Sequence, residues 1–205
     1  MPTVMTHAVV GLGLGKVFTA RKLPWPFWIL TAVLPMVPDL DVLAFGVGIP
    51  YQSPFGHRGF THSLCFALVL SLTAAVLFSR RCRMPWTALA GFFFLITAAH
   101  GILDALTDGG RGVALFWPFD STRYFFPWRP IKVSPIGLKF FREAGWKTLA
   151  SEFLWVWLPT GVLVGAVLLV RRVGVPLALC TGQAGRLPYG DQGMPPGTNQ
   201  SSQGG

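Results

Sequence analysis

Long apolar runs alternate with short polar or basic connections along most of the chain. The runs predict five helices, at residues 4–20, 25–47, 60–79, 84–107 and 152–170. A helix that crosses a bilayer needs ~20 predominantly apolar residues, and only the first run is clearly short for this. The pattern therefore predicts an all-α fold, an integral membrane helical bundle of about four to five transmembrane helices.

Two regions depart from this pattern. Residues 111–150 are aromatic, proline-rich and basic, which is typical of a loop in the lipid headgroup layer, and residues 138–150 are compatible with a short amphipathic helix. Residues 173–205 are rich in Gly, Pro, Gln and Ser, which predicts a disordered tail with little apolar surface to bury. The expected organisation is a membrane-embedded domain, residues 1–172, followed by that tail.

Composition supports a membrane protein rather than a soluble one. Charged residues make up 12% of the chain, apolar residues 52%, and mean hydropathy is +0.52. The net charge of +9 comes mostly from Lys and Arg residues between apolar runs, where the flanks of membrane spans carry them. We therefore expect membrane lipids as partners and no nucleic acid partner.

The remaining polar residues are concentrated at the ends of the apolar runs. Four histidines and four aspartates share this position: His7, His57, His62, His100, Asp39, Asp41, Asp104 and Asp108. If each helix crosses the membrane once, all eight lie on one side, and the basic connections at 20–24 and 80–83 lie on the other. Because basic connections favour the cytoplasm, we expect the histidines to face outward, although the 108–150 loop is basic too.

These residue types predict a divalent metal site. Imidazole nitrogens and carboxylate oxygens are the usual ligands of Zn²⁺ and similar ions, so we expect zinc, with manganese as the other choice. The predicted ligands are His57, His62, His100 and Asp104, followed by His7 and Asp39. Asp41 and Asp108 are predicted to be further ligands, to orient ligands or to act as general base. Arg58 is predicted to neutralise charge on an anionic substrate.

Two other features have competing interpretations. Residues 11–15, Gly-Leu-Gly-Leu-Gly, superficially resemble a phosphate loop, but no strand precedes them, so we expect them to allow close helix packing. Arg111, Arg123 and Arg129 in the aromatic loop fit either contact with an anionic substrate or anchoring at lipid headgroups.

Several segments together resemble a known family. They are residues 57–63 (His-Arg-Gly-Phe-Thr-His-Ser), 38–41 (Pro-Asp-Leu-Asp), 100–110 and the aromatic pieces within 114–137. This set is similar to the YdjM-like, LexA-regulated, membrane-bound metal-dependent hydrolases of bacteria, and His7 matches the family's first histidine position. The resemblance covers about residues 1–170. It implies a helical protein of the bacterial inner membrane, a bound metal and, through kinship with zinc-dependent phospholipases C, phosphoester substrates.

The expected function is metal-dependent hydrolysis, in which metal-activated water attacks a phosphoester or lipid-type substrate at the membrane surface. Two alternatives stay open. A transporter or ion relay would place the His and Asp residues near the bilayer midplane. A non-catalytic membrane protein would use the same residues to hold a structural metal with every ligand position closed.

Overall fold

The helices predicted from the apolar runs are present, with shifted ends. A computed structural model describes residues 1–135, 140–141 and 143–173. Its helices are α1 (Val4–Phe18), α2 (Trp25–Val33), a 3-10 helix (Leu34–Val47), a 3-10 turn (Phe60–His62), α3 (Leu64–Cys82), α4 (Trp86–Ala105), α5 (Glu143–Glu152), a π-helical turn (Phe153–Trp157) and α6 (Leu158–Arg172). The described residues form no strand, which confirms the all-α class. Most of the predicted tail, residues 174–205, lies outside the described residues.

Four helical segments are long and apolar enough to cross a membrane. They are Trp25–Val47, Leu64–Cys82, Trp86–Ala105 and Glu143–Arg172. The helix α1 has 15 residues, so its length of ~22 Å falls short of the ~30 Å hydrocarbon core. The expected bundle of about four to five membrane helices is therefore confirmed, with α1 as the shorter fifth helix.

Several predicted helix boundaries were wrong by two or more residues. The third helix begins at Leu64, four residues later than predicted, because the Ser63 hydroxyl caps it by accepting a hydrogen bond from the Phe66 amide at 3.1 Å. The fourth helix ends at Ala105 rather than at residue 107. The last helical segment begins at Glu143, so residues 143–150 of the predicted amphipathic segment are continuous with the final span.

The glycines of α1 allow close helix packing, as predicted. A Cβ atom added to Gly11 would lie 2.3 Å from the Thr31 carbonyl oxygen of α2. A Cβ atom added to Gly13 would lie 2.4 Å from the Thr160 side chain of α6. Because the helices approach where no side chain intervenes, α1 is held between α2 and α6.

The helices α1 and α6 run in the same direction. Near their first residues, the Trp157 indole donates a hydrogen bond to the Thr6 hydroxyl at 2.7 Å. Near their last residues, the Arg171 guanidinium donates to the carbonyl oxygens of Lys16 at 2.8 Å and Thr19 at 3.2 Å. Parallel helices bring their N-terminal residues to one end of the bundle, which places His7 and Glu152 at the same end.

The apolar core packs aromatic residues of α2 and α4 against small residues of α3. Phe27, Phe92 and Phe93 are buried, and the rings of Phe27 and Phe92 lie 5.5 Å apart. Ala74 and Ala75 of α3 lie in the same cluster. A close-packed core of this kind keeps the helices in fixed register, and that register determines where their polar ends meet.

The aromatic, basic segment after α4 is a loop, as predicted. Val113 and Tyr124 form an antiparallel bridge with N–H···O distances of 2.8 and 2.9 Å, and Thr107 pairs with Ile131 in a parallel bridge. Phe119 is 89% exposed, which suits a residue in the headgroup layer. The two bridges fold this loop back over the end of α4.

Candidate metal centre

Five buried residues from three helices and one turn meet at one end of the bundle. They are His7 of α1, Asp39 of the 3-10 helix, His62 of the 3-10 turn, and His100 and Asp104 of α4. Each has an exposed fraction of 7% or less. Residues as far apart in sequence as His7 and Asp104 thus form one cluster in space.

The ligand atoms of this cluster face one another. The His62 Nε2 atom lies 3.4 Å from an Asp104 oxygen and 3.6 Å from an Asp39 oxygen, and the His100 Nε2 atom also lies 3.6 Å from Asp39. One ligand atom from each of these four residues lies within 4.8 Å of all the others. The His7 Nε2 atom lies slightly farther out, 3.8 Å from Asp104 and 3.9 Å from Asp39.

The orientation of His100 follows from a proline pair. In a 3-10 helix the carbonyl of Pro35 would accept from the nitrogen of residue 38, but Pro38 has no N–H group. The free Pro35 carbonyl lies 2.7 Å from His100 Nδ1. Since a carbonyl only accepts, Nδ1 carries the proton, and Nε2 presents its lone pair to the cluster.

His62 is oriented in the same way by Asp41. Its Nδ1 atom lies 3.2 Å from an Asp41 oxygen and 3.0 Å from the Thr61 hydroxyl. A carboxylate accepts only, so Nδ1 of the neutral ring donates and Nε2 faces Asp39 and Asp104. A carboxylate that fixes the far nitrogen of a histidine ligand is common around protein metal sites.

Asp41 also organises the turn that precedes α3. One of its oxygens accepts from His57 Nδ1 at 2.6 Å, and the other accepts from the Thr61 hydroxyl at 2.7 Å and from the Arg58 amide at 3.2 Å. In a 3-10 helix, residues two apart point about 120° away from each other, so Asp39 and Asp41 serve different partners. The structure therefore places His57 against Asp41, in a second group of His57, His62 and Asp41.

The Arg58 guanidinium forms its polar contacts within the protein. Its guanidinium is fully buried, with Nε 3.1 Å from an Asp104 oxygen, Nη1 donating to the carbonyls of Gly109 and Arg111, and Nη2 donating to the Thr107 hydroxyl. All three nitrogens thus face protein acceptors. This placement does not suit the predicted contact with a substrate anion, and it identifies Arg58 as a support for Asp104.

Asp108 does not reach the cluster. The helix α4 ends three residues earlier, and the Asp108 carboxylate accepts from Lys132 Nζ at 2.7 Å and from the Val133 amide at 2.9 Å. Burial tends to raise the pKa of Asp108, but the hydrogen bond with Lys132 outweighs it and holds that pKa below its ordinary value. Of the possible roles predicted for Asp108, the geometry supports none in the cluster.

His62 has a pKa shift of opposite sign to that of Asp108. Burial by itself would lower the pKa of His62, but the adjacent carboxylates of Asp104, Asp39 and Asp41 outweigh that effect and raise the pKa well above its ordinary value of 6.5. Without a cation the cluster therefore favours a protonated His62. A metal ligand must be deprotonated, so a metal ion competes with a proton at this position.

Sequence reasoning missed Glu152, which is fully buried next to α1. Its two oxygens accept from the Thr3 amide at 2.5 Å, the Thr3 hydroxyl at 2.6 Å and the Thr6 hydroxyl at 2.5 Å. Glu152 and Trp157 are five residues apart, and in an α-helix their side chains would point about 140° away from each other. Both nevertheless contact Thr6, because the π-helical turn between them brings the two side chains to one side of the helix. The sequence signal that could have identified Glu152 is a carboxylate at the start of the last apolar run.

The residues present fit a divalent cation. Nε2 of His7, His62 and His100 and all four oxygens of Asp39 and Asp104 are buried, and apart from the ion pair of Arg58 with Asp104 no described residue outside the cluster forms a hydrogen bond or ion pair with them. Buried polar atoms normally find partners, because leaving them without one is costly. Donors around a tetrahedral zinc ion lie about 3.3–3.4 Å apart for bonds of ~2.0–2.1 Å. Three of the six separations between the ligand atoms, at 3.4–3.6 Å, are close to this spacing, and all six are within 4.8 Å.

All residues of the cluster lie in the part of the chain that is similar to known proteins. A model of the family described as YdjM inner membrane protein matches residues 1–175. The chain is also 40% identical over 173 residues to the Inner membrane protein YbcI of Escherichia coli (strain K12), a match that covers 84% of this chain and 100% of that relative. No solved structure matches the chain.

Proposed function

Because the chain belongs to the YdjM inner membrane protein family and is a multi-pass protein of the inner membrane, we propose that it is a membrane-bound metal-dependent hydrolase. The observation that carries this proposal is the convergence of buried imidazole nitrogens and carboxylate oxygens at one end of the bundle, where, apart from the Arg58 ion pair with Asp104, they face one another. A group of this composition suits Zn²⁺ first and Mn²⁺ second.

In this proposal Asp39, His62, His100 and Asp104 hold the metal, and His7 supplies a further nitrogen beside them. A divalent ion held there would lower the pKa of a water molecule and neutralise charge on a phosphoryl oxygen. The chain's own contribution is to fix each ligand: the Pro35 carbonyl orients His100, and Asp41 orients His62.

We assign proton acceptance to His57 rather than to Asp41. Asp41 already accepts three hydrogen bonds and faces a fourth donor, which makes it a poor base. The His57 Nδ1–H group donates to Asp41, and this leaves Nε2 as the acceptor, in the arrangement of a general base held by a carboxylate.

The proposed substrate is an anionic phosphoester or lipid-type molecule at the membrane surface. The cluster lies at helix ends, beside the aromatic loop, rather than near the middle of the spans as a transporter would require. Since Arg58 is enclosed, the exposed side chain of Arg111 is the better candidate for substrate charge, because its carbonyl contacts Arg58. The basic turns at the other end favour an outward-facing cluster.

Metal analysis beside a hydrolysis assay tests this proposal. Wild type, His62→Ala and Asp108→Asn are purified in detergent without chelators, reloaded with zinc or manganese, and assayed on phosphodiesters and phospholipids. We expect wild type and Asp108→Asn to hold metal and hydrolyse substrate, and His62→Ala to lose both. Wild-type protein that takes up no metal after reloading would contradict the proposal.

The burial of the cluster supports a second candidate, a structural metal that joins the helices. All of its candidate ligands are at most 7% exposed, and they come from four different elements. In that case the protein would bind metal and lose thermal stability when the metal is removed, but no tested phosphoester would be hydrolysed above the rate of His62→Ala. The two readouts together therefore distinguish the enzyme from the structural site.

A further inference from the structure

A second polar feature lies at the opposite end of the bundle from the His/Asp cluster. An open cavity of about 490 Å³ lies between the last turns of α1 and α6 and the start of α2. Five of its lining residues are cationic: Lys16, Arg21, Lys22, Arg171 and Arg172. No acidic side chain lines it among the described residues. We call this cavity the basic pocket.

The described part of the chain gives these five cations no carboxylate partner. The ion pairs of the described residues with Lys or Arg use Arg58, Lys132 and Lys147, all remote from the pocket. Two pocket cations are held in place by other means. Arg171 donates to the carbonyls at the end of α1, and Lys16 Nζ lies 4.5 Å from the centre of the Trp28 ring. The pocket therefore presents fixed positive charge to an external anion.

The basic pocket continues into an apolar groove. A neighbouring space of about 350 Å³ is lined by Gly165, Leu168, Leu169 and Arg172, and it shares Leu168 and Arg172 with the pocket. From Arg172 to Gly165 the groove follows α6 for ~10 Å towards the middle of the span. A Cβ atom added to Gly165 would meet nothing within 4 Å, so this face of the helix is open.

We propose that the basic pocket and this groove bind one anionic phospholipid, with the phosphate among the five cations and an acyl chain along α6. Clusters of Lys and Arg at the ends of membrane helices attract anionic headgroups. The apolar groove distinguishes a lipid from a free anion, because an inorganic phosphate would use only the charged part. The site is separate from the proposed hydrolase site and does not depend on metal.

Lipid counting by native mass spectrometry of the detergent-purified full chain tests the proposal. The probe is dioleoylphosphatidylglycerol, with dioleoylphosphatidylcholine as the neutral comparison. The pocket variant Arg21→Gln/Lys22→Gln/Arg172→Gln removes three cations but keeps Lys16 and Arg171, which have structural contacts. Each basic residue removed weakens headgroup attraction about fivefold, so we expect the pocket variant to bind the anionic lipid about a hundredfold more weakly.

A matched variant separates this site from general charge attraction. Arg80→Gln/Arg81→Gln/Arg83→Gln removes the same number of charges from the last turn of α3 and the turn that follows it. That turn lies at the same end of the bundle, because Met84 packs against the core cluster that Phe18 and Leu23 also contact. We expect this variant to bind like wild type. The proposal would be overturned if the two triple variants lost affinity for the anionic lipid equally, or if the pocket variant lost none.

The groove is tested independently with Gly165→Leu, which fills open space and therefore leaves folding intact. We expect it to weaken binding of the lipid but not of inorganic phosphate, whereas Gly161→Leu, one turn away and equally open, should have no effect. If phosphatidylcholine bound as strongly as phosphatidylglycerol, the site would not be selective for an anion, and the proposal would be refuted. Inorganic phosphate that displaces the lipid at equal concentration would show that the pocket takes a soluble anion instead.

Discussion

Replacing Glu152 with alanine removes the acceptor of three hydrogen bonds that join the end of α5 to the start of α1. The donors are the Thr3 amide, the Thr3 hydroxyl and the Thr6 hydroxyl, at 2.5 to 2.6 Å. Glu152, Thr3 and Thr6 are all buried, with exposed fractions of 0%, 6% and 0%. Water therefore cannot readily replace the missing acceptor.

The expected cost follows from how freely each donor can find another partner. The backbone amide of Thr3 cannot turn away, and a buried donor without a partner costs about 1–3 kcal/mol. The two hydroxyls can rotate, so each loses only a net hydrogen bond, about 0.5–1.5 kcal/mol. We expect Glu152→Ala to lower the free energy of unfolding by about 2–6 kcal/mol.

The variant Glu152→Gln keeps most of these contacts. Its oxygen can accept from the Thr3 amide, and its amide group can donate to the hydroxyls, which accept as well as donate. We expect it to cost less than about 1 kcal/mol. Because Thr6 precedes His7 in α1, Glu152→Ala should also reduce metal content, while Glu152→Gln should retain it.

Equilibrium unfolding in mixed micelles with increasing sodium dodecyl sulfate, followed by tryptophan fluorescence, measures these differences. Glu143→Ala is the matched control, because it removes the same group from the same helical segment where the side chain is 82% exposed. We expect no measurable change in that variant. If Glu152→Ala were no less stable than Glu143→Ala, or if Glu152→Gln were as damaging as alanine, the reasoning from hydrogen bonds would be refuted.

Three further predictions follow from the site. Gly59→Ala should prevent folding of the metal-binding turn and abolish metal uptake, because the new Cβ would lie 2.1 Å from the Pro54 carbonyl oxygen; normal metal content in the purified variant would contradict this. Asp108→Asn should lower thermal stability slightly at neutral pH, by about 0.5 kcal/mol for a partly exposed pair with Lys132. Since the folded pKa of Asp108 is lowered, this stabilisation is present above the ordinary value of 3.8 and is lost as pH falls through the lowered pKa. The melting temperatures of wild type and Asp108→Asn should therefore converge in acid. A difference in melting temperature that stays constant with pH would refute the assignment. Removal of metal with a chelator should lower the melting temperature of wild type but not of His62→Ala, and equal shifts would argue against a bound ion.

The helices could be predicted from the sequence because the bilayer imposes a simple length and composition rule. The four long spans contain the predicted runs to within a few residues, apart from the last, which begins nine residues early at Glu143. The errors arose where local chemistry ends a helix. Ser63 caps α3, and α4 stops at Ala105, before the residues that were expected to continue it. Capping depends on backbone conformation, which hydropathy does not report.

The candidate site was predictable in composition but not in arrangement. Scarce His and Asp residues at helix ends predicted six ligands, because a helical membrane protein has few reasons to place such residues there: His7, Asp39, His57, His62, His100 and Asp104. The structure brings five of them together and places His57 in a second group with Asp41. The partners of Asp41, Asp108 and Arg58 could not be predicted. Each depends on the path of loops between the helices.

The sequence by itself determined that this is a multi-pass helical membrane protein with ligand-type residues at one set of helix ends. Those conclusions rest on periodicity and composition, which are properties of neighbouring residues. Only the tertiary structure decided that Asp39 faces the cluster while Asp41 faces His57, that Arg58 is enclosed by carbonyls, and that Glu152 anchors α1. These depend on a 3-10 helix, a turn and a π-helical turn, whose side-chain directions are set by packing between distant segments.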